Sequence, residues 1–597
     1  MNAVKASVIE LTFDFHRPII ESGLEGYDVI TMGLPKTSNA GLPVLPFKPA
    51  EILLPYGEEL ESIKIIPGDK IRLGEGFIIE PGQAQIAPCF NMTIPCTPPN
   101  ASIYNSTEEF PSGLYSSLPV QDLCGYKILL LNLYPVRYVP KPGEIWYYEN
   151  VTVVVRTKAR KQPSGILDFY RGLPEDRARV LEIVDNPEEI VSYDTQKPKK
   201  ARKGTSIVDP SEDYDYVVIT TEALNSSNGD YTFQDLVAWK NQKGVKATIV
   251  TVERILNEPA YHCDGTYGDG CAIPEFNDTA AHIRNFIKDA YQNWGIKYVL
   301  LGGDGDGADV GGESGNDIIP CRGFYGFVDN PGTQNDREDV NITADLYYAA
   351  LNGSWNSDLD EWWGEPGEAD LHAEVFVGRA PVDSEEELSN FVNKTINYEQ
   401  TNTPYLKKVL MVGGALNATL NFWGGDYKDD VKNGSCKHGY CTVGFPPYFA
   451  VETLYDRDYP GNDWPKSEII TKINNNLHII NSDSHGYVWS GMKMINPDAD
   501  ALTNNESFFG YATACYVGSF DNRRAPPPDD NGAFLRYDCI LEHFVTSAHG
   551  AFAYVGSSRL TWFANGTTNS ASQRLDREFW DAVFGEGKLH LGEANQD

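Results

Sequence analysis

HIINSDSHGYVWSG, residues 478–491, runs from apolar residues into small polar ones, then a histidine and a glycine. An apolar run of this length, closed by turn formers, reads as a buried strand that ends at Ser484-His485-Gly486. Farther on, FFGYATACYVGSF, residues 508–520, ends in the same manner, with Ala514-Cys515-Tyr516 in place of Ser-His-Gly. Two strand ends, one carrying His485 and the other Cys515, meet if the strands are parallel and close.

The surrounding pattern supplies that condition. From residue 214 onward, strand-like YDYVVIT, KATIVTV, KYVLLGGD, AEVFVGRAP, KKVLMVGG, YFAVETLY and GAFAYVG are separated by amphipathic stretches such as FQDLVAWKNQKG, TAAHIRNFIKDAYQNWG, SEEELSNFVNKTINYEQ, KSEIITKINN and YDCILEHFVTSA. Repeated strand–helix alternation means a parallel sheet flanked by helices. Ligands of such sheets bind beyond the carboxyl ends of the strands, where His485 and Cys515 fall.

The first 160 residues have another character. SVIELTFDF, ESIKIIP, YKILLLNLYPVRY and ENVTVVVRT are β-rich runs between Pro/Gly punctuation, so this part reads as all-β. A helical period first appears in EDRARVLEIVDNPEEIVSYD, 175–194. The stretch that follows, TQKPKKARKGTSIVDPSED, is basic, then acidic, and reads as an exposed, cleavable linker. The expected division is a β-rich region over 1–200, a first α/β part over 205–405 and a second over 406–597. A chain of 597 residues is too long for one core.

Acidic residues outnumber basic ones 84 to 49, a net charge of −35. Such a field repels nucleic acids and anionic membranes and suits a secreted protein, a cation binder or an enzyme acting on basic substrates. No apolar run is long enough to span a bilayer. The close pairs Cys89/Cys96, Cys263/Cys271 and Cys436/Cys441 resemble local disulfides of an oxidising compartment, with reduced thiols at chance spacing as the other reading. Thirteen Asn-x-Ser/Thr sequons point the same way.

A Cys–His pair carries acyl-transfer chemistry: imidazole favours the thiolate and later protonates the leaving amine. Gly486 lets a substrate approach its N–H closely, as an oxyanion donor must. The plainer readings are a buried structural cysteine and a turn histidine. LNGSWNSDLDEWWGE, 351–365, sets Asn356, Asp358, Asp360 and Glu365 in a turn-rich stretch whose hard oxygens suit Ca²⁺, or form a hydrated acidic loop. GGDGDGADVGGESGND, 302–317, lacks GK[ST], and its aspartates repel phosphate. HExxH and GxSxG are absent, so zincin and α/β-hydrolase chemistry has no anchor.

INSDSHGYVWSG followed by FFGYATACYVGSF resembles the His-Gly and Ala-Cys blocks of the gingipain-type cysteine peptidases, family C25 of the caspase/legumain clan. The resemblance continues through YVLLGGD…IIPCRGFYG, ADLYYAALNGSW, AEVFVGRAPV and AYVGSSRLTW over roughly 205–590, and GLPVLPFKPAEILLPYG resembles the family's β-rich propeptide. It implies a caspase-like α/β fold behind an all-β prodomain. It also implies Cys515 as nucleophile, His485 as proton donor, the N–H groups of Gly486 and Cys515 as oxyanion site, and structural calcium. The family often places an acid after the strand matching KKVLMVGG; here that loop reads ALNAT, leaving the third member open. Asp426, in FWGGDYKDD, falls near the acid that selects basic P1 side chains, and is otherwise a solvated loop acid or calcium ligand. Trp562 resembles a tryptophan lining the S1 pocket. The expected function is a secreted cysteine endopeptidase in zymogen form, cutting proteins or peptides after Arg or Lys and inhibited by its own propeptide. The rivals are another P1 preference on the same machinery and a catalytically silent cell-surface binding protein of the same fold.

Overall fold

The computed structural model describes residues 7–23, 26–87, 96–160, 169–196, 205–262, 277–305, 318–328, 337–360, 362–417, 421–523, 535 and 537–597. Cys89, Cys263, Cys271, the basic run 197–203 and most of the 302–317 loop lie outside these residues. Cys436 and Cys441 are joined by a disulfide.

The N-terminal region is built from antiparallel pairs, as its alternating runs require. Strand β1 (Val8–Asp14), β2 (Lys48–Leu53), β3 (Glu58–Pro67), the two-residue β4 (Gln85–Ile86), β5 (Tyr126–Leu133) and β6 (Asn150–Ala159) are its main strands. β6 lies between β1 and β3, and β2 pairs with β5. The helical stretch expected at 175–194 is broken. A helix covers Pro174–Ile183, a 3₁₀ turn Pro187–Ile190, and a last turn Val191–Asp194. Pro187 has no N–H for a continuing ladder and disfavours helical backbone before it, which ends the first helix.

Two parallel sheets follow. The first holds β7 (Tyr216–Thr220), β8 (Ala247–Thr251), β9 (Tyr298–Gly302) and β10 (Phe376–Ala380), in the order β8-β7-β9-β10. The second holds β11 (Lys408–Gly413), β12 (Ala450–Tyr455), β13 (Ile479–Asp483), β14 (Phe508–Thr513) and β15 (Ala551–Gly556), in the order β12-β11-β13-β14-β15. A two-residue strand, β16 (Phe563–Ala564), comes after them.

The helices cover both faces. α1 (Phe233–Gln242) starts with a capping box between Thr232 and Asp235. α2 (Thr279–Asn293) is capped by Asp278, whose carboxylate accepts from the N–H of Ala281. α3 (Glu385–Gln400) is capped by Ser384 and carries three glutamates in its first turn, favourable to the helix dipole. α4 (Gly424–Asn433), α5 (Ile540–Thr546) and α6 (Ala571–Phe584) belong to the second sheet.

Strand alternation decides what each face meets. Val409, Met411, Ile479 and Phe509 pack against Phe579 and Trp580 of α6. Leu410, Val412 and Ile480 turn the other way, into a core shared with Leu388 and Val392 of α3 and with Val218 and Leu300 of the first sheet. That shared core binds the two sheets into one body. No helix among the described residues is long and apolar enough to cross a membrane.

Candidate active site

β13 and β14 are neighbouring inner strands, fully buried along their length, and their register pairs Asp483 with Thr513. His485 and Cys515 therefore each stand two residues past the carboxyl end of adjacent parallel strands. The N–H of Ser484 donates to the carbonyl of Thr513 at 3.3 Å, so the two chains stay together for one step beyond the sheet.

Gly486 then passes against the cysteine segment. A Cβ there would lie 2.6 Å from Val517 Cγ1, and 2.9 Å from both Ala514 Cβ and the carbonyl oxygen of Cys515. Only glycine permits that approach. Tyr516, directly after Cys515, takes a left-handed conformation at φ 61°, a costly state for a bulky residue that the surroundings must enforce. Its N–H donates to the carbonyl of Arg559 at 2.9 Å, and the N–H of Gly518 to that of Ser557 at 3.1 Å. Arg559 in turn grips Asp521 through two nitrogens, at 2.9 and 2.5 Å, which ties the loop after Cys515 to the loop after β15.

His485 Nε2 lies 3.1 Å from the carbonyl oxygen of Ala415. A carbonyl only accepts, so Nε2 carries the proton and Nδ1 is the basic nitrogen. The orienting group is a backbone oxygen in the ALNAT loop, where sequence offered no carboxylate. Side-chain reading has no means of finding it. Cys515 is fully buried. Its sulfur lies 3.4 Å from both the N–H and the hydroxyl of Thr561, a contact across 46 residues that the sequence did not announce.

Asp426 occupies the first turn of α4, and its carboxylate is paired with Arg457, which also holds Asp429. Trp562 is fixed through its main chain: its N–H donates to Ser572 Oγ at 2.9 Å, and its carbonyl accepts from Ser570 Oγ at 2.6 Å. Beneath the strand ends lies a buried polar network. Lys428 is ion-paired with Asp576 and donates to Asn481 Oδ1 at 2.6 Å; Asn481 donates to Asp576 at 2.8 Å, and Gln573 to Asp483 at 3.1 Å. Burial pushes the Asp483 carboxyl up to about 7, against the pull of Lys428 and Gln573.

The N-terminal region reaches this end of the sheet. β4 pairs antiparallel with β16, Ile86 opposite Phe563 and Gln85 opposite Ala564. Ile86 packs with Phe563, Leu416 and Tyr427, which directly follow Trp562, Ala415 and Asp426 in the sequence. A second junction lies elsewhere. There the N–H of Cys124 donates to Glu374 at 3.2 Å, the N–H of Leu371 to Gln121 at 2.9 Å, and Arg179 to the carbonyl of Ala373 at 2.8 Å.

In the 351–365 loop, Asp358, Asp360 and Glu365 present oxygens that all lie within 4.8 Å of one another. Oxygens held at about 2.3–2.6 Å from one Ca²⁺ have that spacing. Asn356 is buried, and its amide is spent closing the loop: it accepts from the N–H of Asp360 at 3.2 Å and donates to its carbonyl at 2.8 Å.

The chain matches the model of peptidase family C25 over residues 209–597. Lys-gingipain of Porphyromonas gingivalis is 26% identical over 226 residues, which is 36% of this chain and 10% of that protein. Gingipain R1 of the same organism is 23% identical over 509 residues, 81% of this chain and 40% of that protein. Among solved structures, the Arg specific cysteine proteinase gingipain R matches with a TM-score of 0.41 and 19% identity, over 65% of this chain and 72% of that one. The complex of Porphyromonas gingivalis RgpB pro- and mature domains matches with a TM-score of 0.39 and 19% identity, over 64% and 77%. The family model takes in both parallel sheets together with His485 and Cys515, and the chain belongs to peptidase family C25.

Proposed function

We propose that the chain is a latent cysteine endopeptidase, with Cys515 as nucleophile and His485 as its proton acceptor and donor. The observation that carries this reading is the register of β13 and β14, which delivers both residues to the same end of adjacent strands. The thiol proton passes to Nδ1 of His485, and the thiolate attacks the peptide carbonyl. The N–H groups of Gly486 and Cys515 receive the oxyanion. The imidazolium then protonates the departing amine, and water hydrolyses the thioester. The Ala415 carbonyl keeps the histidine in the tautomer this requires.

The N-terminal β-rich region acts as the propeptide. Its β4 strand lies on β16, beside Trp562, and Ile86 fills the space next to Leu416. The preference is for Arg or Lys at P1, read by Asp426 and Trp562. The relatives' names, Lys-gingipain and an Arg specific proteinase, agree with a basic preference, and Asp426 already holds a guanidinium, that of Arg457. A substrate must displace that arginine or share the carboxylate with it. Ca²⁺ bound by Asp358, Asp360 and Glu365 would brace the loop, with Asn356 shaping it rather than lending an oxygen. Secretion fits the Cys436–Cys441 disulfide and the acidic surface.

The test is hydrolysis of peptide libraries by the processed wild type, Cys515→Ala and His485→Ala. Loss of activity in both variants with unchanged melting supports the assignment. Full activity in Cys515→Ala overturns it.

A further inference from the structure

Two fully buried thiols of this chain, Cys124 and Cys539, and the half-buried Cys321 are each pushed up to about 12, in every case mainly by desolvation. Cys515 is buried as completely as any of them. A nucleophile so placed needs donors aimed at its sulfur if a thiolate is to form there. Thr561 supplies two such groups. The main-chain N–H of Thr561 points at Cys515 Sγ at 3.4 Å, and an N–H can only donate, which makes the sulfur the acceptor. Thr561 Oγ1 lies at 3.4 Å from the same sulfur, and its hydroxyl proton is free to rotate toward it. The Thr561 carbonyl, at 3.9 Å, is the weaker contact.

Thr561 is itself held from both sides. Two residues before it, the Arg559 carbonyl receives the Tyr516 N–H, and the Arg559 side chain grips Asp521. Directly after it, the Trp562 main chain is fixed by Ser570 and Ser572. A donor held this way need not reorganise when charge develops on the sulfur, the condition under which such donors act most strongly.

We propose that Thr561 is a sulfur-holding residue of this enzyme, stabilising the Cys515 thiolate with its main-chain N–H and its hydroxyl together. The proposal rests on the assignment of Cys515 as nucleophile. Neither group is acidic, so the device works by hydrogen bonding to the charged form alone, and no proton leaves Thr561.

The experiment is a titration of thiolate ultraviolet absorbance in the full-length chain, with the Cys515→Ser spectrum subtracted so that only this sulfur is read. Thr561→Val and Thr561→Ala both delete the hydroxyl and keep the N–H, and either one suffices if the other melts early. The expected result is a titration midpoint raised by about one unit in both, hence about tenfold less thiolate at a pH below the midpoint. Thr561→Ser should restore the wild-type curve. Midpoints in Thr561→Val and Thr561→Ala equal to or below wild type overturn the proposal. Peptidase activity retained in Cys515→Ala would instead overturn the nucleophile assignment, so the two failures are told apart.

Discussion

Replacing Lys428 with methionine isolates the buried network under the strand ends. Lys428 and Asp576 are essentially inaccessible to solvent, and the ammonium is the cation facing both Asp576 and Asp483. Met keeps most of the side-chain volume, so the change removes charge rather than packing. Breaking one partner of a buried pair costs about 3–5 kcal/mol, because the other charge stays buried without compensation. For a cooperative unit of about 150–250 residues that is a fall in Tm of roughly 6–20 °C. The sign with pH follows from Asp483. Its folded-state pKa is raised above the ordinary aspartate value, so its contribution is fully present below that value and lost as pH rises through about 7. Without Lys428 the cost of an ionised Asp483 grows, so the variant should lose more at pH about 8 than at pH about 5. Paired thermal and urea melts at the two pH values measure both effects. Lys428→Met/Asp576→Leu, which removes both charges, should recover at least half of the loss, since apolar replacement of a buried pair is often close to neutral. A single variant within about 1 kcal/mol of wild type, or a double variant no better than the single, would refute the reasoning.

The junction between the N-terminal region and the first sheet should loosen as pH rises. Burial, then Asp122 across the junction, pushes Asp370 up to about 7, and burial followed by Asp370 and Asp122 raises Glu374, while Arg284 and Lys127 pull Asp370 down. Docking is then strongest below the ordinary aspartate value and weakens through about pH 7. Limited proteolysis of the linker should accelerate between pH about 5 and 8 and accelerate less in Asp370→Asn. Chelation with EGTA should lower the melting temperature, because an ion bound only by the folded chain stabilises it by mass action; Asp358→Asn/Asp360→Asn should melt low and ignore the chelator. Incubated alone, wild type should be cut after a Lys or Arg within 197–203 and Cys515→Ala should not, as N-terminal sequencing would show; equal cutting in both points to another protease.

The parts of this site legible in the sequence are those with a local signature. Apolar runs closed by Ser-His-Gly and Ala-Cys-Tyr mark two strand ends because a buried strand must stop where polar groups and glycine begin, and alternation with amphipathic helices makes those strands parallel. What escaped was decided by contacts without such a signature. The histidine's partner is the Ala415 carbonyl, and every residue has a carbonyl, so no residue type could announce it. Asp426 pairs with Arg457, 31 residues away, and spacing gives no sign of it, because the contact depends on how α4 packs beside the turn that follows β12. Pro187 was visible, yet the amphipathic period around it suggested one continuous helix where the missing N–H ends it.

The β4–β16 contact is the clearest case, since two residues pair with two others more than 470 positions along the chain. A two-residue strand has no period to detect. Yet this small ladder sets Ile86 against Phe563, two residues from Thr561 and its contact with the Cys515 sulfur. If the N-terminal region leaves, β16 loses its pairing partner and Phe563 its cover, so the loop that touches the Cys515 sulfur gains freedom. On the proposed reading, latency and nucleophile positioning then share one loop. An Ile86→Asp variant, which breaks the cover by a change confined to the N-terminal region, should therefore increase alkylation of Cys515 in the uncut chain. Labelling of Cys515 no faster than in wild type would separate the two roles.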